Sequence, residues 1–304
     1  MKKKPIYVEI PMNAPIDTVW QYTQNPHYHE QWDLRFTSIT YMPKEHEDAP
    51  QLFTYETKVM PGLTVAGWGE SKGTHNKVDG TKTSSLHFGT DQKISPIREG
   101  KGYWQYIPKE NEITFLTQYD YDVRYGKIGQ LLDLLFRPVM GWATALSFDV
   151  LRRWIEKGES PSWQYRRFFI AQITSLLFFL VWFYQGLLPK VVVQHAGEIT
   201  LFSALTGIEG QNAIRAVFII GILEVLFAIA WLFPWQKRRL LALQILLFPI
   251  LTLSALVADF SIAGAPFNPV TLNVTLWFMS IVGYIVSKDL PTAKSCKRNR
   301  GGNV

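Results

Sequence analysis

Apolar residues follow two different patterns along the chain. Residues 168–287 are almost wholly apolar, whereas residues 1–167 mix apolar and charged positions. The apolar part contains four runs with at most one charged residue each: Phe168 to Leu188, Ala216 to Phe233, Leu240 to Ala258 and Val270 to Ser287. Because a hydrocarbon core of about 30 Å takes about 20 residues of helix, we expect four membrane-spanning helices. The alternative is four buried helices of a large soluble core, which such long uncharged runs disfavour.

The first half of the chain alternates as strands do and then changes to a helical period. The alternation and the turn residues predict strands at 6–10, 36–42, 51–60, 63–76, 81–90, 97–107 and 112–124. Asn13 is expected to cap a short helix after the first strand. From Lys127 to Glu156 apolar residues recur at helical spacing, with a kink expected at Pro138. The charged residues of this long helix argue against a fifth span, so it should lie across the sheet or partly on the membrane surface.

Lysine and arginine cluster on one side of the four predicted spans. Positive residues precede the first span, separate the second from the third and follow the fourth, whereas the other two connections hold only Lys190 and Arg215. The positive-inside rule therefore predicts a multi-pass cell-membrane protein with both termini in the cytoplasm. An aromatic belt at the two interfaces is expected from Trp163, Tyr165, Trp235 and Tyr284 on the inner side and from Trp182 and Tyr184 on the outer side.

Composition divides the chain into three expected parts. These are a soluble domain at residues 1–160, a membrane domain at 161–290 and a polar basic tail at 291–304. The net charge of +6 follows from the residues beside the spans, so nucleic-acid binding is not expected. Cys296 is the single cysteine, and one thiol cannot form an internal disulfide.

The last two predicted strands form a hairpin with an aromatic face. With residues 108–111 as the loop, four facing pairs are expected: Tyr106 with Ile113, Trp104 with Phe115, Gly102 with Thr117 and Gly100 with Tyr119. The glycines leave space beside the rings, which either form a plain core beneath the long helix or line a cavity. The candidate ligand-binding residues are the aromatic side chains Trp104, Tyr106, Phe115, Tyr119, Trp68 and Phe88.

Seven polar residues of the apolar half are candidates for a site in the membrane part, and all of them except Glu224 gather near its predicted outer level. The candidates are Lys190, His195, Glu198, Glu224, Asp259, Asn268 and Asn273. Glu224 lies near the middle of the second span, where an ionisable group is either a shielded, hydrogen-bonded carboxyl or a proton- or ligand-handling group. Asn268 before Pro269 is expected to cap the fourth span. Gln172 and Gln244 are expected to form interhelical hydrogen bonds.

Several short segments at this level together resemble the DoxX-like family of four-helix membrane proteins. They are Gly186-Leu-Leu-Pro-Lys190, His195-Ala-Gly-Glu198, Gly221-Ile-Leu-Glu224, Asp259, and Pro266-Phe-Asn-Pro269 with Asn273. The resemblance covers roughly residues 165–287. Relatives in the broader DoxX group are linked to quinone-coupled or thiol redox complexes. This chain has no cysteine pair and no haem or flavin motif, so the resemblance indicates no particular cofactor.

The first part resembles the START-like, or SRPBCC (polyketide cyclase and dehydrase), superfamily. The resemblance covers about residues 3–157 and depends on the order of elements together with Ala14-Pro-Ile-Asp-Thr-Val-Trp20 and Pro26-His-Tyr-His-Glu-Gln-Trp-Asp33. It implies an α+β helix-grip domain that binds apolar small molecules, with no catalytic residue carried over. The spacing of His27, His29, Glu30 and His46 matches no zinc pattern, so no metal is expected.

Three functions are compatible with these patterns. The first is a membrane protein whose cytoplasmic domain binds an apolar, lipid- or quinone-like molecule, anchored by the four-helix bundle. The second is an enzyme, either a quinone-linked oxidoreductase component or a cyclase-like hydratase. The third is an assembly or sensory protein whose bundle binds other membrane proteins or a second copy of itself. The expected partners are therefore the lipid bilayer, a hydrophobic small molecule and a further membrane protein.

Overall fold

The computed structural model describes residues 4–47, 49–110, 112–233 and 236–300, and of Lys72 the backbone alone. Its internal contacts divide the chain into unit 1, which comprises residues 1–164 and 291–304, and unit 2, which comprises residues 165–290.

Unit 1 is an antiparallel sheet with one long helix packed on it. Its strands are β1 (Ile6–Met12), β2 (Ser38–Tyr41), β3 (Gln51–Met60), β4 (Leu63–Asn76), β5 (Lys82–Gly89), β6 (Ile97–Pro108) and β7 (Ile113–Val123), in the spatial order β1-β7-β6-β5-β4-β3-β2. Its helices are α1 (Ile16–Gln24), α2 (Pro26–Trp32) and α3 (Gly126–Lys157). Helix α3 packs on β1 and β7. The predicted helix-grip architecture is therefore confirmed.

The second half of α3 forms the centre of the unit 1 core. Leu146, Phe148, Val150 and Leu151 are fully buried although they point in different directions around the helix. Burial on several sides is possible because the sheet, α2 and the C-terminal segment all pack on this half. Pro138 lies inside the continuous helix, ahead of the buried half.

The hairpin of β6 and β7 has the predicted faces but a different register. Tyr106 pairs with Phe115, and Gly102 pairs with Tyr119. The predicted pairs are therefore wrong by two residues, because β6 continues to Pro108 and the turn is closed by the N–H of Lys109 donating to the Glu112 carbonyl. A shift of two residues leaves every side chain on its predicted face, since the strand period is two.

The predicted cap of the first helix is wrong. Pro15 occupies the N-cap position of α1 and its side chain forms no capping bond. The Asn13 N–H donates instead to Glu156 Oε1 over 2.8 Å. The capping asparagine lies one helix later, where Asn25 Oδ1 accepts from the His27 N–H over 2.9 Å and Pro26 opens α2.

After the last helix of unit 2 the chain returns to unit 1 and pairs with the sheet. Glu9 of β1 and Lys297 exchange two backbone hydrogen bonds, both with an N–O distance of 2.9 Å. Strand β1 is at the edge of the sheet, so the bridge covers part of an edge that would otherwise be open. Residues 291–300, expected as a separate tail, thus pack on unit 1, while 301–304 lie outside the described residues.

A buried carboxylate holds the start of this returning segment. The side chain of Asp149 is fully buried and accepts from Arg152, Arg153 and the backbone N–H of Thr292, the last over 2.8 Å. Further along, the Cys296 thiol donates to the Ala145 carbonyl at 3.3 Å. Burial raises the pKa of this thiol to about 12, so the thiol is protonated at neutral pH.

Unit 2 consists of long apolar helices. They are α4 (Pro161–Gln185), which begins in unit 1 and continues as a π-helical segment over Gly186–Val192, then α5 (Ala196–Thr206), α6 (Gly210–Ala230), α7 (Lys237–Ala258) and α8 (Pro269–Val286). Five helical segments of the described chain are long and apolar enough to cross a membrane, namely α3, Pro161–Val192, α6, α7 and α8. The short α5 was missed by the sequence analysis.

The interior of unit 2 is mostly aromatic and aliphatic, with buried residues Phe178, Trp182, Ala228, Trp231, Leu241, Phe248 and Leu276. Trp182 lies in this core, with its ring centre 5.8 Å from that of Phe248. Trp235 lies outside the described residues. The predicted interhelical bond of Gln172 is confirmed, since its Oε1 accepts from Lys237 Nζ over 2.9 Å. The fully buried amide of Gln244 has no hydrogen-bond partner among the described residues.

The attachment of the returning segment can be tested through its own thiol. Lys297→Pro removes the backbone N–H that bonds Glu9, so Cys296 should react with maleimide several-fold faster than in the unchanged protein. Lys297→Ala keeps the backbone bridge and loses only an ion pair whose lysine is 76% exposed, so its rate should hardly change. Labelling would be followed by mass spectrometry. Equal rates in all three proteins would show that the segment does not protect the thiol.

Candidate functional site

The aromatic candidates of unit 1 lie on the face of the sheet that is turned towards α3, with one exception. Tyr106, Phe115 and Tyr119 are buried there, and Phe115 stacks on Phe148 of α3 with ring centres 4.5 Å apart. Trp104 and Phe88 share this face and are partly exposed. Below, this surface is called the aromatic face.

Trp68 does not belong to the aromatic face. It alternates with Gly67 and Gly69, whose absent side chains leave room for Tyr55 and Phe53 on the aromatic face. Trp68 therefore points to the opposite side of the sheet, where it is 37% exposed and meets the edge of His87 at 5.0 Å.

Glycines of the aromatic face accommodate rings from neighbouring strands. A Cβ added at Gly69 would lie 2.1 Å from Phe53 Cζ, and one added at Gly100 would lie 2.5 Å from Phe88 Cζ. Both distances are far below van der Waals contact. The space expected beside these glycines is therefore filled by the ring edges of Phe53 and Phe88.

A buried ionic cluster lies beside the aromatic face. The Arg35 guanidinium donates to both carboxylate oxygens of Asp33, from Nε over 2.8 Å and from Nη2 over 2.6 Å. His29 Nε2 lies 3.1 Å from Asp33 Oδ2. The side chain of Asp33 is fully buried, and those of His29 and Arg35 are 10% and 14% exposed. Helix α2 supplies His29, and the segment after it supplies Asp33 and Arg35.

The charge states of this cluster follow from burial and pairing. Burial by itself raises the pKa of Asp33, but the Arg35 charge and the hydrogen bonds from Arg35 and His29 outweigh it and hold this pKa well below its ordinary range. Burial lowers the pKa of His29 and outweighs the pairing with Asp33. At neutral pH the cluster is therefore one arginine–carboxylate ion pair beside a neutral imidazole.

The cluster and the aromatic face form one continuous surface. The Arg35 guanidinium carbon lies 5.5 Å from the Tyr119 ring centre and 5.6 Å from that of Phe36. The His29 ring meets Trp104 edge-on at 4.9 Å. The sequence analysis missed this cluster: it named His29 and Asp33 only within the segment that resembles the START-like superfamily, and it rejected His29 as a metal ligand. The detectable signal was His29 four residues before Asp33, followed by Arg35 two residues later.

Part of this surface is not covered by protein. Phe36, Phe88 and Trp104 face the interior and are nevertheless only partly buried. Rings that remain accessible beside a buried ion pair match the general composition of small-molecule sites, which are mostly apolar with a few placed polar groups. A separate open groove of about 380 Å³ lies between the start of α1 and the β6–β7 hairpin, and it is lined by none of these residues.

Three of the polar candidates in unit 2 meet in one place. Lys190 Nζ donates to both carboxylate oxygens of Glu224, at 3.0 and 2.9 Å, and lies 3.5 Å from Glu198 Oε2. The π-helical segment presents Lys190 to α6 because Gly186 and Gly221 allow the two backbones to touch. A Cβ at Gly221 would lie 2.7 Å from the Gly186 carbonyl oxygen. π-Helical segments are rare and occur frequently at functional sites.

The other polar candidates are used locally. His195 Nδ1 accepts from the Gly197 N–H and caps α5, and Asp259 Oδ1 accepts from the Ser261 N–H. Asn268 Oδ1 accepts from the Thr271 N–H with Pro269 behind it, so its predicted capping role is confirmed. Asn273 is partly buried on α8. The structure therefore brings together only the lysine and the two glutamates.

The ion pair of unit 1 predicts a pH-dependent stability. Because the pKa of Asp33 is depressed on folding, its stabilising effect is present above the unfolded pKa of about 3.9 and is lost as the pH falls below it. Asp33→Asn should lower the free energy of unfolding of unit 1 at pH 7 by about 3–5 kcal/mol, and the thermal midpoint should fall with it. The difference from the unchanged protein should shrink below about pH 4.

The matched control for Asp33→Asn is Asp17→Asn. Asp17 also pairs with a cation, Lys82 at 2.9 Å, but is 83% exposed, so its replacement should change little at any pH. Thermal unfolding of the full chain would be followed by intrinsic fluorescence across the pH series. Identical behaviour of the two variants would contradict a role for the buried pair.

The ion pair of unit 2 is testable by a double-mutant cycle. The two side chains are only 12% and 17% exposed, so Lys190→Met leaves the Glu224 charge buried, and Glu224→Gln leaves Lys190 with the more distant Glu198 at 3.5 Å. Each should destabilise unit 2 by about 3–5 kcal/mol, whereas the double variant should lose less than the sum. Thermal midpoints in detergent would be compared, with the exposed Glu209→Gln as the control. Additive losses would show that the two side chains do not act as a pair.

Comparison with solved structures finds proteins similar to the N-terminal half. They include the STAR-related lipid transfer protein from Xanthomonas axonopodis (15% identity, TM-score 0.38), TTHA0849 from Thermus thermophilus (14%, 0.36) and a START superfamily protein from Mycobacterium smegmatis (10%, 0.32). These cover 49%, 45% and 46% of this chain, and 84%, 86% and 96% of the respective structures.

The C-terminal half matches a sequence family. Residues 179–281 fit the model of the DoxX-like family. Over its whole length the chain resembles a bacterial relative, the "Uncharacterized membrane protein YndG" of Bacillus subtilis (strain 168), with 41% identity over 303 residues and 99% of both chains covered. The chain is thus a membrane protein of the same family as YndG, and its residues 179–281 match the DoxX-like family model.

Proposed function

We propose that unit 1 binds an apolar small molecule, of a lipid-like or quinone-like kind, and that unit 2 anchors this binding domain in the cell membrane. The observation that supports this most directly is the incompletely covered aromatic face beside the buried Asp33–Arg35 pair. Aromatic side chains left accessible in an interior cost solvation free energy that a bound apolar molecule recovers.

The residues around the accessible rings favour a ligand with a small polar group on an apolar body. Phe36, Phe88 and Trp104 offer flat apolar area. The ion pair and the neutral His29 offer a small number of polar atoms close to it. Since the carboxylate of Asp33 already balances Arg35, the cluster favours a neutral polar group such as a carbonyl or hydroxyl over a second full charge.

The returning C-terminal segment supports the proposed membrane topology. Residues 1–164 and residues 291–300 belong to the same folded unit, so they must lie on the same side of the bilayer. The chain between them therefore crosses an even number of times. Of the five candidate helices, α3 packs on the sheet of unit 1, which leaves four. Together with the positive-inside rule, this supports the proposal of four spans with both termini in the cytoplasm.

Native mass spectrometry of the full chain in nanodiscs tests the ligand proposal. We expect the purified protein to carry a lipid-soluble compound that is lost on collisional activation. Trp104→Ala should reduce its occupancy several-fold, because this ring forms part of the partly open aromatic face. Trp68→Ala is the matched control, since it removes the same side chain from the opposite face of the sheet.

Thermal midpoints of both variants would show that the domain still folds. Protein that is repeatedly empty after preparation from native membranes would contradict the proposal. Equal occupancy in Trp104→Ala and Trp68→Ala would contradict the assignment of the ligand to the aromatic face.

A further inference from the structure

The first half of α3 exposes large apolar side chains to solvent. Six of these side chains have exposed fractions between 53% and 76%: Ile128, Leu131, Leu132, Leu134, Leu135 and Val139. The only polar side chains exposed along this stretch are Lys127 and Gln130. Below, the six residues are called the leucine face. A patch of this kind on a water-facing helix is unusual, because solvent-exposed positions are normally polar.

Two charged residues of this half, Asp133 and Arg137, point towards the sheet instead. Asp133 is 2% exposed, and it accepts from Tyr121 over 2.6 Å and from Arg137 Nε over 3.0 Å. Arg137 reaches further to Asp120 of β7, with 2.8 Å between Nη1 and Oδ1. The helix is therefore fixed to the sheet by ion pairs and hydrogen bonds while its leucines point away. This is the reverse of the usual arrangement, in which the apolar stripe faces the core.

The leucine face continues past the start of the helix and carries positive charge at its rim. Tyr125 and Ile94 are 55% and 60% exposed, and the Tyr125 hydroxyl donates to the backbone carbonyl of Lys93, which joins the β5–β6 connection to this end of α3. Lys93 and Lys127 are both exposed. Apolar side chains bordered by lysines match the composition of segments that lie in the interface of an anionic bilayer.

We propose that the leucine face docks on the lipid bilayer, with its side chains in the interfacial region of the leaflet nearest unit 1. Two observations select the bilayer over a second copy of the chain. First, the segment that begins with α4, a candidate membrane span, follows α3 within a few residues. Val139 of the leucine face is only about 27 Å of helix from Lys157, the last residue of α3. Second, a two-fold contact between copies would bring the same patch of each copy together, and the lysines at the two rims would repel each other.

This docking does not depend on the proposed ligand. Bilayer contact of α3 and occupancy of the aromatic face are measured separately, so either one can fail alone.

Spin labels report the depth of the leucine face directly. In a Cys296→Ser background, single cysteines at Leu131 and Leu135 would carry nitroxides in nanodiscs of phosphatidylcholine and phosphatidylglycerol. We expect the labels to be several-fold more accessible to oxygen than to a water-soluble nickel chelate. Leu52, a leucine of β3 that is 48% exposed away from α3, is the matched control and should show the opposite ratio. Since all three positions are exposed, labelling should leave the thermal midpoint unchanged.

Two results would overturn the proposal. The first is nickel accessibility at Leu131 and Leu135 equal to that at Leu52, which means that the face is in water. The second is spin–spin broadening that disappears on dilution with unlabelled protein, which means that a second copy covers the face. As a test of the rim, Lys93→Glu with Lys127→Glu should reduce immersion in the mixed nanodiscs and leave it unchanged in pure phosphatidylcholine.

Discussion

Removing a charged group from water costs several kcal/mol unless a partner is at hand, and buried charges are paired in this way in three segments of the chain. The segment after α2 is fixed by Asp33 and Arg35. The returning C-terminal segment starts on the buried carboxylate of Asp149. The π-helical end of α4 is fixed where Lys190 meets Glu224. In each case a buried charge needs its partner in place, which restricts the positions that the segment can adopt.

Local sequence pattern predicted the elements well because their periods differ. Strands alternate with a period of two and the long helices repeat near 3.6, so β3, β4 and the extent of α3 agree closely with expectation. The register of the β6–β7 hairpin does not follow from the alternation of the strands, because it depends on where the turn between them closes. Hydropathy alone also does not separate α3 from the candidate spans. What separates them is the position of Asp133 and Arg137 on the face that packs against the sheet.

For the candidate sites, the sequence predicted residue types and approximate membrane depth, but not which side chains meet. Whether Trp68 shares a face with Phe88 depends on the pairing of β4 with β5, which the pattern of either strand does not contain. In the sequence, Asp33 and Arg35 cannot be distinguished from ordinary surface charges. Their burial depends on the packing of α2 against α3. In unit 2 the helical rise predicted Glu224 near the middle of the second span and Lys190 at the outer end of the first span. Their direct pairing needs the π-helical segment and the contact of Gly186 with Gly221, which regular helical spacing does not predict.

The return of the chain to unit 1 bears on how an apolar ligand would reach it. A binding domain attached to the membrane part at both residue 164 and residue 291 has a much smaller range of motion than one held by a single linker. Its effective concentration at the bilayer is correspondingly high. A lipid-like molecule dissolves poorly in water, so its transfer is limited by the aqueous distance it must cross. Docking of the leucine face on the bilayer, as proposed above, keeps that distance short. The two proposals together therefore favour exchange with the bilayer as the route for such a ligand.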